Sequence, residues 1–510
     1  MTDGYLLGVD IGTYESKGVI TDVAGQVIGS AVSPHTLIIP RQGWAEHDAE
    51  AVWWGDFVFI TQQLLAETGV PARQIRGVGV SAIAPALLPV DRAGKPLRRG
   101  GILYGVDTRA VDEIAYLNET IGPDRIFQRC GNALSAQAYG PKILWLKRHE
   151  PDVYRAAHQF VTATTFIVSR LTGQYCIDQV TASTALPLYD IHRQAYTTDL
   201  TDEIVALERL PEIVWSDQVV GAVSGEAARL TGLAEGTPVV VGTDDAAAEA
   251  LSVGVTAPGQ MMLMYGSTVF FINILDRTLT DERLWAAPFL FRGTACLMAG
   301  MATSGSLTRW FRDQLARDLV AAEEAGLESA YSGLISEARA TPPGAEGLLV
   351  LPYFSGERTP INDPGARGVI FGLTLAHSRG HLFRATLEGI GYGIRHHYEV
   401  MHEIGAAPQE IIAVGGGTRN RLWLQIVSDI MQQPQRVPQV TVGASYGDAF
   451  LAGLGAGVLR SPDEIRRWVR YSHTIEPDPT NADRYDEYMQ LYLELYRRNK
   501  DLMHQLTDLA

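Results

Sequence analysis

Tyr5-Leu-Leu-Gly-Val-Asp10-Ile-Gly12-Thr13-Tyr-Glu-Ser16-Lys17-Gly18-Val-Ile-Thr-Asp22 is the stretch that decides the fold. An apolar run enters a turn rich in glycine and hydroxyls, and a second apolar run returns from it. The pattern recurs at Gln260-Met-Met-Leu-Met-Tyr265-Gly266-Ser267-Thr268-Val-Phe-Phe-Ile-Asn273. Such a hairpin offers backbone N–H groups and hydroxyls to an anion such as phosphate. One copy in each half predicts two similar domains and a nucleoside triphosphate as ligand.

Working outward, Val27–Val32 extends the first hairpin into a meander, and Ala49–Thr68 shows helical periodicity. Gly77–Ser81 reads as a buried strand, and Ala110–Ile121, Pro141–Arg148 and Phe160–Leu171 as helices. Pro238–Gly242 is a strand that runs into a helix over Asp244–Ser252. Strands alternating with helices place the chain in the α/β class. At 510 residues it is too long for one core. The turn Thr256–Gly259 marks the division, giving domains 1–255 and 256–510.

Composition excludes several functions. Fifty-eight acids against 42 bases give a formal charge of −16, which repels nucleic acid and anionic membranes. No uncharged apolar run approaches the ~18 residues of a membrane-spanning helix. Cys130, Cys176 and Cys296 are too scattered for a metal or disulfide pattern, and the expected setting is cytoplasmic.

Three segments carry chemistry. Asp10 ends a buried strand, where an acid can face a hydrated Mg²⁺. Thr13, Ser16 and Lys17 follow as candidate phosphate contacts, although the Walker spacing is absent and the same residues suit an ordinary hairpin. Asp244 and Asp245 stand at a helix start, where one acid serves as a cap and the second is free to take a proton from a hydroxyl. Gly415-Gly416-Gly417 precedes Thr418 and Asn420, a run that lets a flat ring approach the backbone or simply makes a tight connection with an N-cap.

The order of these segments resembles that of the FGGY carbohydrate kinases, and among them the xylulokinases. Gly368-Val-Ile-Phe-Gly372-Leu-Thr-Leu-Ala-His-Ser-Arg-Gly-His381-Leu-Phe-Arg-Ala385-Thr-Leu-Glu388 satisfies every constrained position of that family's C-terminal signature. Pro352-Tyr-Phe-Ser-Gly-Glu357-Arg358-Thr-Pro360 and Lys142-Ile-Leu-Trp145 are similar to further family motifs. The resemblance implies a duplicated actin-like, ribonuclease H-like ATPase fold, with ATP and sugar meeting in an interdomain cleft. It implies transfer of the γ-phosphoryl group of ATP, with Mg²⁺, to a terminal hydroxyl of a ketose or polyol. D-xylulose is the leading candidate substrate, ahead of another pentulose, a polyol or glycerol.

Carried over by position, Asp245 matches the catalytic base and Asp10 the Mg²⁺-associated acid. Thr13, Ser16 and Lys17 match the first phosphate loop, Gly266, Ser267 and Thr268 the second, and Gly416, Gly417 and Asn420 the adenosine region. Departures fall where the sugar is expected. A Met-His pair of xylulokinases is replaced by Ala84-Pro85, and Trp-x-Asp-x-Arg by Tyr104-Gly-Val-Asp107-Thr-Arg109. Ala84, Pro85, Tyr104, Asp107 and Arg109 are therefore the candidate substrate residues, with a local ion pair as the other reading of Asp107 and Arg109. Near the adenosine region, Ser445-Tyr446-Gly447-Asp448 replaces the family's run of small residues, and Asp448 matches no family role. Many family members are homodimers, but no interface is marked in this sequence. A nucleotide-driven assembly protein and a sugar-binding regulator without turnover are the rival readings.

Overall fold

Along Tyr5–Ile11 and Ile75–Ala82 the side chains alternate between two faces, and small residues recur on one of them. The strands are parallel neighbours, with Leu6 opposite Gly77, Gly8 opposite Gly79 and Asp10 opposite Ser81. In this computed structural model, which describes residues 4–439 and 441–509, that glycine face has a specific use. A Cβ on Gly8 would strike the Ser445 carbonyl oxygen, and one on Gly79 the Asp448 carbonyl oxygen. The helix Ala444–Gly455 thus rests its backbone on the strands, bringing its own small residues down with it.

The opposite face is closed by the helix Gly55–Thr68, which buries Phe57, Ile60 and Leu64. Here Gly18, paired with Val9, leaves room for Ile60. Val9, Ile11, Val78 and Val80 join these residues in one continuous core.

The chain forms two compact units. The first takes everything up to Ala257, with Leu275–Cys296 and Val442–Arg470; the second takes Pro258–Ile274, Leu297–Thr441 and everything from Tyr471 onward. In the first unit the strand order is Val27–Pro34, Glu15–Asp22, Tyr5–Ile11, Ile75–Ala82, Pro238–Val240 and Val219–Ala222. The second runs Ala295–Met301, Val269–Leu275, Gln260–Tyr265, Glu410–Val414, Gln435–Pro438 and Tyr471–Ile475. In each, the first strand pairs antiparallel with its hairpin partner and parallel with the next strand inward. One plan has been used twice, as the two hairpins predict.

Two elements differ from the sequence reading. Ala49–Trp54 forms a wide π-type turn capped by Asp48, and the regular helix begins only at Gly55. Phe160 lies in the strand Gln159–Val161, and the helix starts at Ala163. The Thr162 side chain accepts from the Thr165 N–H, and this cap fixes the later start.

Candidate functional site

In the first unit, the hairpin turn is held from below. Gly12 N–H donates to the Glu15 carbonyl at 3.1 Å. His35 Nε2 lies 3.1 Å from the Gly12 carbonyl oxygen and His47 Nε2 3.0 Å from that of Thr13. Trp53 Nε1 donates to His47 Nδ1 at 3.2 Å, leaving Nε2 to carry the hydrogen toward Thr13. Burial, then the nearby His35, holds the His47 imidazole down to about pKa 4, so it stays neutral. Ser16 is fully buried and donates to Asp56 Oδ2 at 2.7 Å, so its hydroxyl serves the scaffold. Thr13 Oγ1 lies 3.0 Å from the Tyr104 hydroxyl, and the half-exposed Lys17 ammonium pairs with Glu15 at 2.7 Å.

An acidic cluster stands beside this turn. Asp10 ends its strand half-buried, and burial pushes its carboxyl up to about pKa 6. Strand Pro238–Val240 leads through Gly242, with φ of 76°, to Asp244 and Asp245. Asp244 accepts from the Ala247 N–H at 2.6 Å and is the helix cap, which frees Asp245 from that duty. Burial, then the charges of Asp10 and Asp244, pushes the Asp245 carboxyl well above the carboxylate range. Burial and Asp10 likewise raise Glu249 to about 7. A cation entering such a cluster favours the ionised carboxylate, the form that can accept a proton.

Ala84 is half-buried and Pro85 buried, just beyond the strand that carries Ser81. Tyr104 is half-buried; its carbonyl accepts from Lys142 Nζ at 2.9 Å. Lys142 is buried beneath it, and desolvation lowers its ammonium to about pKa 7. Asp107 and Arg109 lie under this segment as an ion pair at 2.7 Å. Asp107 also accepts from the Ala45 N–H, and Arg109 reaches Glu46 at 2.8 Å with its guanidinium over the Trp44 ring. In this structure the two are engaged with each other, the local pairing that their spacing allows.

The second unit carries the remaining candidates. The carbonyl oxygens of Gly266 and Ser267 accept from the N–H groups of Ser304, Gly305 and Ser306, at the start of the helix Gly305–Leu315. This ties down the second hairpin turn while Ser267 and Thr268 remain exposed. At the glycine run, Gly415 has φ of 90° and lies against the Tyr265 backbone. A Cβ on Gly416 would meet nothing within 4 Å, so no packing demands glycine there. Asn420 caps the helix Arg421–Met431, its side chain accepting from the Trp423 N–H at 3.1 Å.

His35, His47, Trp53 and Asp56 escape sequence reasoning because they form no motif. Each acts through a carbonyl or side chain 6 to 40 residues away.

Residues 5–252 match the N-terminal domain of the FGGY family of carbohydrate kinases, and residues 261–456 its C-terminal domain. A xylulose kinase of Escherichia coli is 28% identical over 503 residues, covering 98% of this chain and 99% of that protein. A gluconokinase of Bacillus licheniformis is 26% identical over 497 residues, covering 97% of this chain and 96% of that protein. The crystal structure of xylulose kinase from Rhodospirillum rubrum superposes with a TM-score of 0.92 at 33% identity, over 98% of this chain and 100% of that one. The repeated sheet plan, the matched domains and these likenesses agree: the chain belongs to the FGGY family of carbohydrate kinases and is a phosphotransferase with an alcohol group as acceptor.

Proposed function

We propose that this kinase moves the γ-phosphoryl group of ATP to a terminal hydroxyl of a ketose or polyol, with D-xylulose as the leading substrate. The observation that carries the assignment of roles is the division of labour at the helix start. Asp244 closes the helix end, and Asp245 is left with a raised pKa beside Asp10. Asp245 then orients the sugar hydroxyl and accepts its proton as the oxygen attacks phosphorus.

Thr13 and Lys17 meet phosphate in this reading, and Ser16 keeps their turn in shape through Asp56. Gly266, Ser267 and Thr268 form the second phosphate loop, and Gly416, Gly417 and Asn420 the adenosine surface. Tyr104, Ala84 and Pro85 shape the sugar side, with the Asp107 N–H donating to the Tyr104 carbonyl and Arg109 paired to Asp107.

Among the described residues no three of His, Cys, Asp or Glu cluster as a metal cage. That suits Mg²⁺, which keeps waters and substrate phosphates in its shell and takes only one or two carboxylates from protein. Asp10 would hold it. Bound with ATP, Mg²⁺ supplies positive charge against the phosphate oxygens and the acidic cluster. ATP as donor, together with three buried, unbridged cysteines, supports a cytoplasmic setting.

The substrate is tested by ADP release against D-xylulose, other ketoses, polyols, glycerol and gluconate, with a control lacking sugar. Turnover with D-xylulose well above all others is expected. Preference for gluconate or glycerol would replace the substrate and keep the roles. ATP binding without turnover on any acceptor would overturn the kinase assignment.

A further inference from the structure

The helix Ala444–Gly455 consists largely of small or apolar residues, yet it carries Asp448. That side chain is fully buried, 0% exposed, above the strand pair where Asp10 lies opposite Ser81. Its Oδ2 lies 2.7 Å from Ser81 Oγ, and the same Oγ lies 2.9 Å from Asp10 Oδ1. Oδ1 of Asp448 has no hydrogen-bond partner among the described residues.

A serine hydroxyl carries one hydrogen. It can satisfy only one of the two carboxyl oxygens, so the other oxygen must bring a proton of its own. Asp10 is half-buried at a strand end, whereas Asp448 is sealed in. An isolated buried charge is strongly disfavoured, which assigns the proton to the sealed residue.

We propose that Asp448 is a positioning residue held as the neutral acid: its Oδ2–H donates to Ser81 Oγ, which donates its hydrogen to Asp10 Oδ1. The relay fixes the orientation of Asp10, whose Oδ1 accepts the single hydrogen of Ser81 Oγ. The groups facing Asp448 agree. Burial first, then Asp10 on its strand and Asp245 on the helix Asp245–Ser252, oppose ionisation, and only hydrogen bonds from Ser81 favour it. The nearby cation, Lys17, acts on Asp10 and Glu249. This inference rests on the reading of Asp10 as the acid that faces the cation of metal–ATP.

Infrared difference spectra of wild type against Asp448→Asn at neutral pH test the proton directly. A protonated-carboxyl C=O band should disappear in the variant, and its absence from wild type would overturn the relay. Mn²⁺ binding in the presence of ATP, followed by electron paramagnetic resonance, and turnover test the positioning. Asn retains an N–H for Ser81, so Asp448→Asn should stay close to wild type. Asp448→Ala and Ser81→Ala, checked for folding by thermal melting, should lose ~10–100-fold in Mn²⁺ affinity and turnover, as supporting partners of metal ligands do. Equal damage from Asn and Ala at 448 would refute the neutral acid, and unimpaired Ala variants would refute the positioning role. Asp10→Asn separates the two readings: unchanged Mn²⁺ binding there would remove the metal role of Asp10 and leave the infrared result standing.

Discussion

The two adjacent acids at the helix start divide their work by geometry. Asp244 spends its carboxylate on the Ala247 N–H, while Asp245, free of that duty, is the proposed base. Replacing Asp245 by Asn preserves size and removes the proton acceptor. Turnover should fall by ~10²–10⁴-fold, the scale of a general base, with ATP affinity in equilibrium titration nearly unchanged. A lightly affected variant would move the base elsewhere. The cluster also costs stability, and Glu249 shows how. Burial and Asp10 raise it from 4.5 to about 7 in the folded protein. Folded protein therefore holds this proton more tightly than unfolded chain, so the contribution is favourable below about 4.5 and is lost as pH rises through about 7. Glu249→Gln should gain in melting temperature over wild type across that window, and a constant difference would contradict the assignment.

At the scale of elements, the seam between the first sheet and the helix Ala444–Gly455 depends on glycines that accept no side chain. Gly79→Ala would force a methyl into the Asp448 carbonyl oxygen, which belongs to backbone and cannot swing aside. Overpacking of this sort costs typically ~1–3 kcal/mol, and the denaturant midpoint should fall accordingly. The hairpins are legible in the sequence because alternating apolar residues and a glycine–hydroxyl turn are local signals. So are Asp10 and the Asp244–Asp245 pair, which sit at strand and helix ends. Phe160 misleads because its apolar run continues the helical period, while the cap at Thr162 overrides it. The supports of the turn are illegible for another reason. His35 and His47 reach carbonyl oxygens of Gly12 and Thr13, and no spacing rule links a ring to a distant carbonyl. Asp448 stands out in the sequence only as an acid among small residues. Its link to Asp10 needs the register of two strands and the height of a helix above them.

For the molecule as a whole, the proposed roles fall on different stretches of chain. The acid cluster belongs to the first unit, and Ser267, Thr268 and the glycine run to the second. Transfer requires sugar and nucleotide held together, so each ligand should tighten the other by the same factor. Calorimetric titration of a non-hydrolysable ATP analogue with and without sugar measures that factor, and equal affinities would contradict it. The composition of the first unit also has a consequence in time. Its strand Tyr5–Ile11 leaves the ribosome long before the helix that covers its glycine face, which ends at Gly455. At 5–20 residues per second the strand waits roughly 20–90 s for its cover. Residues 1–257 made alone should therefore expose that face and aggregate, and supplying residues 275–296 and 442–470 in the same polypeptide should restore solubility. The late helix acts as a closing signature: a nascent chain cannot complete its first unit until most of the second has been made.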